Sequence, residues 1–435
     1  MKFIIKHIGR VADAEIVLNG ITLIVGDNNM GKTTTGRALY AFFNALYRID
    51  NEVETQRTFQ ITKILRRFFE KYRHPFADPQ LLKGYISAFL SNKADEGEKI
   101  RNYIEHRLTG RATQPEIVQL MDKIIAVRSL SNTAIRKQII QEYFDSVFAN
   151  QCVSFDYKSE GGLVHGIIEG HKVNVEFQSG GVVYDSELNL QHKAYFIDSP
   201  DLLNYWGRYR FVGGMGGAMP LTFTIRKAID DALTTDDSPA DRAFDNLLYT
   251  ERYNKFLDEI AEVIGGHFEF DQNYVLRFVE NRVGVEKSPT FDLSNVSEGL
   301  KAFGVIELML KYRVLGDGDV LVFDEPEVHL HPEWQIKYAS MLVKLQEEFN
   351  LKILITTHSS SFLMALQFVS RVRNRECVVN SYRIKEMQPN SRYSMVVSEN
   401  PSDWDDAYVS FVKAAQRLEK LREKAYSEEV ECDEE

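Results

Sequence analysis

Two glycines, a lysine and two threonines near the start of the chain have the types and spacing that phosphate binding requires. The stretch reads Gly26-Asp27-Asn28-Asn29-Met30-Gly31-Lys32-Thr33-Thr34 and matches G-x-x-x-x-G-K-[ST]. Its glycines permit a loop whose backbone N–H groups converge on phosphate oxygens. Lys32 would add positive charge near the β- and γ-phosphates, and Thr33 would give its hydroxyl to Mg²⁺. The motif therefore predicts a site for a nucleoside triphosphate.

Two neighbouring carboxylates form a second candidate set, far downstream of the first. Asp324 and Glu325 follow the apolar run 319–323, which reads as a buried strand. At the end of such a strand, Asp324 could hold magnesium through water, while Glu325 could orient and deprotonate an attacking water. An acidic turn after a strand is also common in α/β proteins, so this interpretation depends on its partnership with Lys32.

The elements around these residues indicate how they could meet. The run 21–25 reads as a strand before the glycine-rich loop, and the apolar residues after the loop have helical spacing. A third strand, 351–357, ends at His358. Because parallel strands end at a common edge of a sheet, we expect the loop, the carboxylates and His358 to share that edge. The helical residues are Leu39, Phe42, Phe43, Leu46 and Tyr47.

A short polar segment precedes a helical run between the two motifs. Ser297, Glu298 and Gly299 lead into the apolar residues 302–310. A serine at this place can cap a helix, and the N-terminus of a helix also attracts anions. The sequence leaves both interpretations open.

The order of these segments resembles the ABC-type ATPases: phosphate loop, Ser-x-Gly before a helix, strand-Asp-Glu, then strand-His. The run 324–335, Asp-Glu-Pro-Glu-Val-His-Leu-His-Pro-Glu-Trp-Gln, and the segment 356–359, Thr-Thr-His-Ser, look like the RecF/SMC/OLD-like branch. The resemblance covers residues 1–47 and 290–365. It implies a three-layer α/β P-loop NTPase fold, an ABC-type ATPase head, with an antiparallel β portion and a helical insertion.

The resemblance also implies a mechanism shared by two subunits, with ATP and Mg²⁺ as ligands. The segment Ser297, Glu298 and Gly299 of one protomer would face the phosphate loop of the other and complete the γ-phosphate site. Glu325 would be the general base, and His358 would contact the γ-phosphate and sense its loss. The expected assembly is an ATP-sandwich homo-oligomer of at least two copies.

One feature of ABC ATPases, the glutamine loop between phosphate loop and signature, has no clear equivalent in the sequence. A candidate is the apolar run 193–197, which ends at Asp198-Ser199-Pro200. A serine before a proline is also an ordinary helix start, and this alternative stays open.

Composition is typical of a globular chain: 435 residues, 44% hydrophobic and 26% charged. No apolar run reaches the roughly 18 residues of a membrane span, and no signal-peptide pattern opens the chain, so a cytoplasmic protein without membrane contact is expected. Cys152, Cys377 and Cys432 lack the spacing of a disulfide framework or a zinc site. The net charge of −11 argues against general nucleic-acid coating but permits a local basic groove.

The pattern along the chain suggests five segments. We expect an N-terminal lobe with the phosphate loop at 1–47, a helical insertion at 48–150, a β-rich and helical continuation of the head at 151–290, a C-terminal lobe at 291–426, and an acidic disordered tail at 427–435. Residues 1–19 read as an antiparallel hairpin, and 153–183 as short antiparallel strands. The insertion lacks long heptads, which excludes an extended coiled-coil arm.

Three further sequence features could indicate a metal site, a nuclease or a nucleic-acid interface, but each has a simpler structural explanation. His329 and His331 could bind zinc, but no third ligand with suitable spacing is apparent. Asp403 and Asp405 could suggest a Toprim nuclease, but they read as the acidic first turn of a final helix. A basic helix around Ile61 could contact nucleic acid or an acidic protein, although a packed helix with a solvated basic face is the simpler interpretation.

Three functions remain open. The leading one is an ATPase sensor or scaffold of antiphage defence, resembling the ATPase components of PARIS-like, Septu-like and retron-associated systems. It would control a separate toxic effector, expected to be a nuclease, in response to nucleic acid or a phage protein. The alternatives are a RecF-like DNA-repair ATPase that binds DNA directly and, less favoured because of the large insertion, a transport ATPase subunit. The resemblance, not the residues themselves, suggests all three.

Overall fold

The computed structural model describes most of the chain. The described residues are 1–74, 79–91, 96–184, 186–206, 221–234, 239–282, 284, 288–373, 379–388, 391–398, 416, 419 and 422. Two expectations lie outside them: the acidic first turn of a final helix at Asp403 and Asp405, and the acidic tail 427–435. Among the described residues, no helix combines the length and the apolar character needed to cross a membrane.

The strands are grouped here by their order along the chain. They are β1 (Lys2–Ile8), β2 (Val11–Val17), β3 (Ile21–Val25), β4 (Gly162–Ile168), β5 (His171–Gln178), β6 (Gly181–Tyr184), β7 (Ala194–Ile197), β8 (Gly266–Phe270), β9 (Leu276–Glu280), β10 (Thr290–Asp292), β11 (Val320–Asp324), β12 (Lys352–Thr357), β13 (Val379–Glu386) and β14 (Ser394–Ser398).

The α-helices are named in the same way. They are α1 (Lys32–Leu46), α2 (Ile49–Lys71), α3 (Pro79–Leu90), α4 (Glu96–Arg107), α5 (Gln114–Ser129), α6 (Asn132–Val147), α7 (Leu221–Thr234), α8 (Pro239–Ile264), α9 (Glu298–Lys311), α10 (Pro332–Phe349) and α11 (Ser360–Arg373).

One mixed sheet organises the molecule, with eleven described strands in the order β6-β5-β4-β1-β2-β14-β13-β3-β12-β11-β7. Its half from β13 to β7 is parallel, because β3 pairs in parallel with both β12 and β13, and β11 with both β12 and β7. Strands β1, β2, β4, β5 and β6 form an antiparallel half. Strand β14 joins the halves, since it lies antiparallel to β13 and parallel to β2.

Alternate residues of the parallel strands face two different hydrophobic cores, as side chains of a strand must. Val322 and Leu354 lie in a core with α1 and α6. Phe323 and Ile355 lie in a core with α8, α9, α10 and α11. Helices therefore cover both faces of the sheet, and the predicted three-layer α/β P-loop fold is confirmed, with its antiparallel β portion and its helical insertion.

The proposed insertion, 48–150, contains α2 to α6. Four of its helices, α2 to α5, enclose a small core of their own, separate from the two cores of the sheet. The buried residues of that core repeat at helical spacing: Ile61, Leu65, Phe69, Leu82, Ile86, Phe89, Ile100, Ile104, Leu108, Ile117, Leu120 and Ile124. On α2 the buried side carries Ile61 and Leu65, whereas Lys63, Arg66 and Arg67 are exposed.

A second sheet, β10-β9-β8, packs against α9. Gly304 of α9 permits this close approach, because a Cβ atom there would lie 2.4 Å from Cε2 of the buried Phe268. The Phe268 N–H donates to Oε1 of Glu307, one turn further along the helix, at 2.9 Å. Burial raises the pKa of Glu307 to about 7. The small sheet thus fixes the helix that follows Ser297.

We expect Gly304→Ala to destabilise the fold, because its methyl group must displace Phe268 in a filled core, at a cost of about 1–3 kcal/mol. Gly84→Ala is the matched control: Gly84 lies in α3 with no atom near its Cβ position, so the change should stabilise by up to about 1 kcal/mol. Urea unfolding of both variants measures the difference. Equal stability of the two would contradict the close packing of α9 on the small sheet.

Candidate functional site

The loop between β3 and α1 has a backbone that only glycine fits easily. Gly31, directly before α1, has φ of +97°, in the left-handed region. At Gly26 the limit is space, because a Cβ atom would lie 2.8 Å from the carbonyl oxygen of Ile384 and 2.5 Å from its Cγ2. Gly26 therefore lets the loop lie against β13, and Gly31 lets the N-terminus of α1 begin directly after the loop.

Lys32 has a buried side chain, 4% exposed. Its Nζ donates to the carbonyl oxygens of Gly26 and Asp27, at 2.9 and 3.0 Å, and lies 3.5 Å from Oε1 of Glu325. A buried ammonium group requires such partners, because leaving it unpaired would be costly. Lys32 thus connects the two ends of its own loop with the acidic end of β11.

Two residues that the sequence did not single out support the loop from the neighbouring strands. Arg10, in the turn between β1 and β2, donates from Nη1 to the carbonyl oxygen of Asn29 at 2.7 Å. The Ser394 hydroxyl donates to the carbonyl oxygen of Met30, and its N–H donates to the carbonyl oxygen of Arg10 at 3.0 Å. Asp27, Asn28 and Asn29 are exposed. Arg10 and Asn29 are 19 positions apart, and Ser394 and Met30 are 364 positions apart, so no local pattern could reveal these contacts.

Thr33 and Asp324 meet at the end of β11. The Thr33 hydroxyl lies 2.7 Å from Oδ2 and 3.0 Å from Oδ1 of Asp324. Thr356, at the paired position of β12, donates its hydroxyl to Oδ1 at 2.5 Å. A hydroxyl and a carboxylate are oxygen donors of the kind that Mg²⁺ prefers, with remaining positions left for phosphate oxygens and water. These residues therefore fit a nucleotide-bound magnesium ion.

Glu325 comes one residue later, in a conformation uncommon for its type. Its φ is +52°, a left-handed conformation that costs energy for any residue other than glycine. Its N–H donates to the carbonyl oxygen of Thr356 at 2.9 Å, and Oε1 lies 3.1 Å from Nδ1 of His358. Both side chains remain partly accessible, at 29% and 42% exposed. The turn therefore presents Glu325 and His358 together, beside Lys32.

Ser297, Glu298 and Gly299 lie at the start of α9. The Ser297 hydroxyl accepts the N–H of Leu300 at 3.4 Å, so Ser297 is the N-cap, yet it is exposed. Glu298 forms an ion pair with the buried Lys301 at 2.5 Å. Gly299 packs near the turn after β11, where a Cβ atom would lie 3.3 Å from the carbonyl oxygen of His329. The capping interpretation is thus satisfied, while the helix N-terminus still faces solvent.

A cleft adjoins the acidic end of β11. Asp198 and Ser199, which follow β7, line it together with Asp324, Glu325 and His329. Loss of solvation raises the pKa of the Asp198 carboxyl, and the charge of Asp324 raises it further. The segment considered for the glutamine loop therefore ends at this cleft.

Zinc binding has no support among the described residues. They contain no group of three or more His, Cys, Asp or Glu side chains placed to hold a metal ion. His331 precedes α10 and is exposed, and His329 lines the cleft beside Asp324.

Comparison with protein families matches residues 224–365 to the family described as "AAA domain, putative AbiEii toxin, Type IV TA system". The match spans less than half of the chain; it includes Ser297, Asp324 and His358 but not the phosphate loop. Among curated proteins, no sequence matches the chain.

Several solved structures are similar to the chain at 12% identity. One is the SmcHead bound to the C-winged helix domain of ScpA, covering 93% of this chain and 98% of that one, with a TM-score of 0.48. Another is the SMC head domain from Thermotoga maritima, with coverages of 92% and 98% and a TM-score of 0.37. A third is cbiO1 from Clostridium perfringens, part of the ABC transporter complex cbiONQ, with coverages of 96% and 96% and a TM-score of 0.37. Likenesses at this level carry no argument about function.

We expect Gly26→Ala to weaken nucleotide binding at least about tenfold, because displacing the loop removes N–H contacts to phosphate worth roughly 1.5–3 kcal/mol each. Gly180→Ala is the control, since Gly180 has open space at its Cβ position. Isothermal titration calorimetry with ATP and Mg²⁺ measures both. Equal affinities would show that the loop does not bind the phosphates.

Proposed function

We propose that the protein binds ATP with Mg²⁺ and hydrolyses it at the shared edge of β3, β11 and β12. The observation that carries this proposal is the contact between Thr33 and Asp324, residues 291 positions apart that the parallel sheet brings within 2.7 Å. A phosphate loop and a strand-end carboxylate joined in this way can hold a nucleotide-bound cation between them.

Each group then has a separate task. Lys32 and the loop N–H groups would bind the β- and γ-phosphates, and Thr33 and Asp324 would hold Mg²⁺, which when bound would neutralise phosphate charge. Glu325 accepts a proton from the attacking water, since its carboxylate is accessible and adjoins Lys32. His358, whose Nδ1 lies 3.1 Å from Oε1 of Glu325, would contact the γ-phosphate.

A second copy of the chain would complete the site. In the described part of the protein, none of the hydrogen bonds of Ser297 reaches the phosphate loop of its own chain. Ser297 and the exposed N-terminus of α9 can instead bind the γ-phosphate held by another protomer, because a helix N-terminus favours anions. ATP would then hold two protomers together, and hydrolysis would release them.

In the cell, we place this ATPase as a sensor or scaffold in antiphage defence that controls a separate toxic effector. The name of the matched family, which mentions a toxin of a Type IV TA system, supports a role in such defence.

The exposed basic residues Lys63, Arg66 and Arg67 of α2 favour a second candidate, a RecF-like ATPase that binds DNA directly. Filter binding of linear and gapped DNA, with and without ATP, separates the two: tight ATP-dependent binding favours repair.

We expect Glu325→Gln to lower the hydrolysis rate by roughly 10²- to 10⁴-fold, the usual contribution of a general base, and to trap an ATP-bound dimer. Light scattering with and without ATP and Mg²⁺ measures the mass, and phosphate release measures the rate. Glu347→Gln, on the exposed side of α10, is the matched control and should behave as the wild type. Rapid hydrolysis by Glu325→Gln would contradict the assignment of the base.

We expect Lys32→Ala to weaken ATP binding by about 10- to 100-fold, since it removes a charged donor worth about 1.5–3 kcal/mol. The protein should still fold, because the ammonium group bonds mainly to its own loop. Equilibrium dialysis with ATP gives the affinity, and circular dichroism checks the fold. Unchanged affinity in a folded variant would exclude this loop as the phosphate site.

A further inference from the structure

A buried carboxylate beside the proposed catalytic groups has no role in the mechanism described above. Glu327, in the turn after β11, is 3% exposed. Burial raises the pKa of its carboxyl above the usual range. Placing such a group in the interior costs free energy unless hydrogen bonds compensate, so its contacts indicate its purpose.

Among the described residues, the hydrogen bonds that the Glu327 side chain makes with other residues lie at the end of β12. Its Oε1 accepts the hydroxyl of Thr357 at 2.6 Å and the N–H of His358 at 3.3 Å. The Thr357 Oγ1 in turn accepts the N–H of Ser359 at 3.0 Å. One carboxylate oxygen therefore holds the backbone on both sides of His358.

Two carboxylates approach the same nitrogen of the His358 imidazole. Its Nδ1 is 3.1 Å from Oε1 of Glu325 and 3.8 Å from Oε1 of Glu327. The second oxygen of Glu327, Oε2, is buried and has no hydrogen-bond partner among the described residues. Oε1 of Glu327 therefore lies near the ring as well as the backbone of His358.

The ends of β11 and β12 are joined by two similar hydroxyl–carboxylate contacts. Thr356 donates to Asp324, and Thr357 donates to Glu327. Successive threonines of a strand point to opposite faces, so one contact fixes the proposed metal carboxylate and the other lies on the far side. Glu325 stands between them and is held through its own N–H to Thr356.

We propose that Glu327 is a positioning residue for ATP hydrolysis, which acts by fixing the backbone and ring of His358 against Glu325. The inference rests on the proposed ATPase function. Among the described residues, Glu327 has no hydrogen bond or ion pair with Lys32 or Thr33.

The test compares Glu327→Gln, Thr357→Val and Thr357→Ser, with Glu347→Gln as the exposed control. Glu327→Gln and Thr357→Val should each lower kcat by roughly 10- to 100-fold, as expected for a misplaced reacting group, with little change in KM for ATP. Thr357→Ser keeps the hydroxyl and should restore most of the rate. The double variant Glu327→Gln/Thr357→Val should be no slower than the slower single variant, since Glu327→Gln weakens, by loss of charge, the same contact that Thr357→Val removes.

A measurement that does not depend on ATP hydrolysis distinguishes failure of this proposal from failure of the proposed function. In protein labelled with ¹⁵N-histidine, Glu327→Gln should shift the imidazole signals of His358, identified by their loss in His358→Gln, while Glu347→Gln leaves them unchanged. Unmoved signals would overturn the positioning role even in a protein without ATPase activity. If Glu327→Gln shifts the His358 signals but the wild-type protein hydrolyses no ATP, only the proposed function is contradicted. Equal losses of kcat in Thr357→Ser and Thr357→Val would also overturn the inference.

Discussion

The parallel pairing of β3, β12 and β11 is the constraint on which the site depends. Asp324 pairs with Thr356, and Thr356 pairs with Ile24, so the three strands end at one level of the sheet. Each strand is apolar up to that level because helices cover both of its faces, and polar residues begin where the cover ends. Thr33, Glu325 and His358 are neighbours because three buried strands of matched register end at the same level. Contacts between their loops are not what brings them together.

The sequence was sufficient to predict the parts of the site whose signals are local. The loop at Gly26 and the strand before Asp324 were visible because a short motif and an apolar run specify them. The contacts of Arg10 and Ser394 with the loop were not visible, since they depend on β14 lying between β2 and β13. The sheet contains the antiparallel strands that the sequence predicts at 153–183. The order of the strands in the sheet could not be predicted, because no local sequence pattern specifies it. The residues of the site remain proposals, whereas the fold class is confirmed.

The start of α9 supports one of the two interpretations that the sequence left open. Ser297 uses its oxygen to cap the helix, whereas anion binding at the exposed helix N-terminus stays a proposal. The remainder of α9 is almost fully buried, and Gly304 brings it against Phe268 of the small sheet. Because close-packed elements move as units, a force on Ser297 from a second protomer would reach β8, β9 and β10 through this contact.

Three buried charged side chains belong to the segments around this edge, and their burial has both a cost and a use. Lys32, Lys301 and Glu327 are each less than 5% exposed. Their carbonyl, carboxylate and hydroxyl partners compensate for lost hydration only in part, so an apolar interior of the same shape could be more stable. The low dielectric that makes these groups costly would also strengthen the attraction between Lys32 and a phosphate in the proposed site, since a charge pair attracts more strongly away from water. A site built for stability alone would have no reason to bury Glu327 beside His358, whereas a site that must hold an imidazole in one position does.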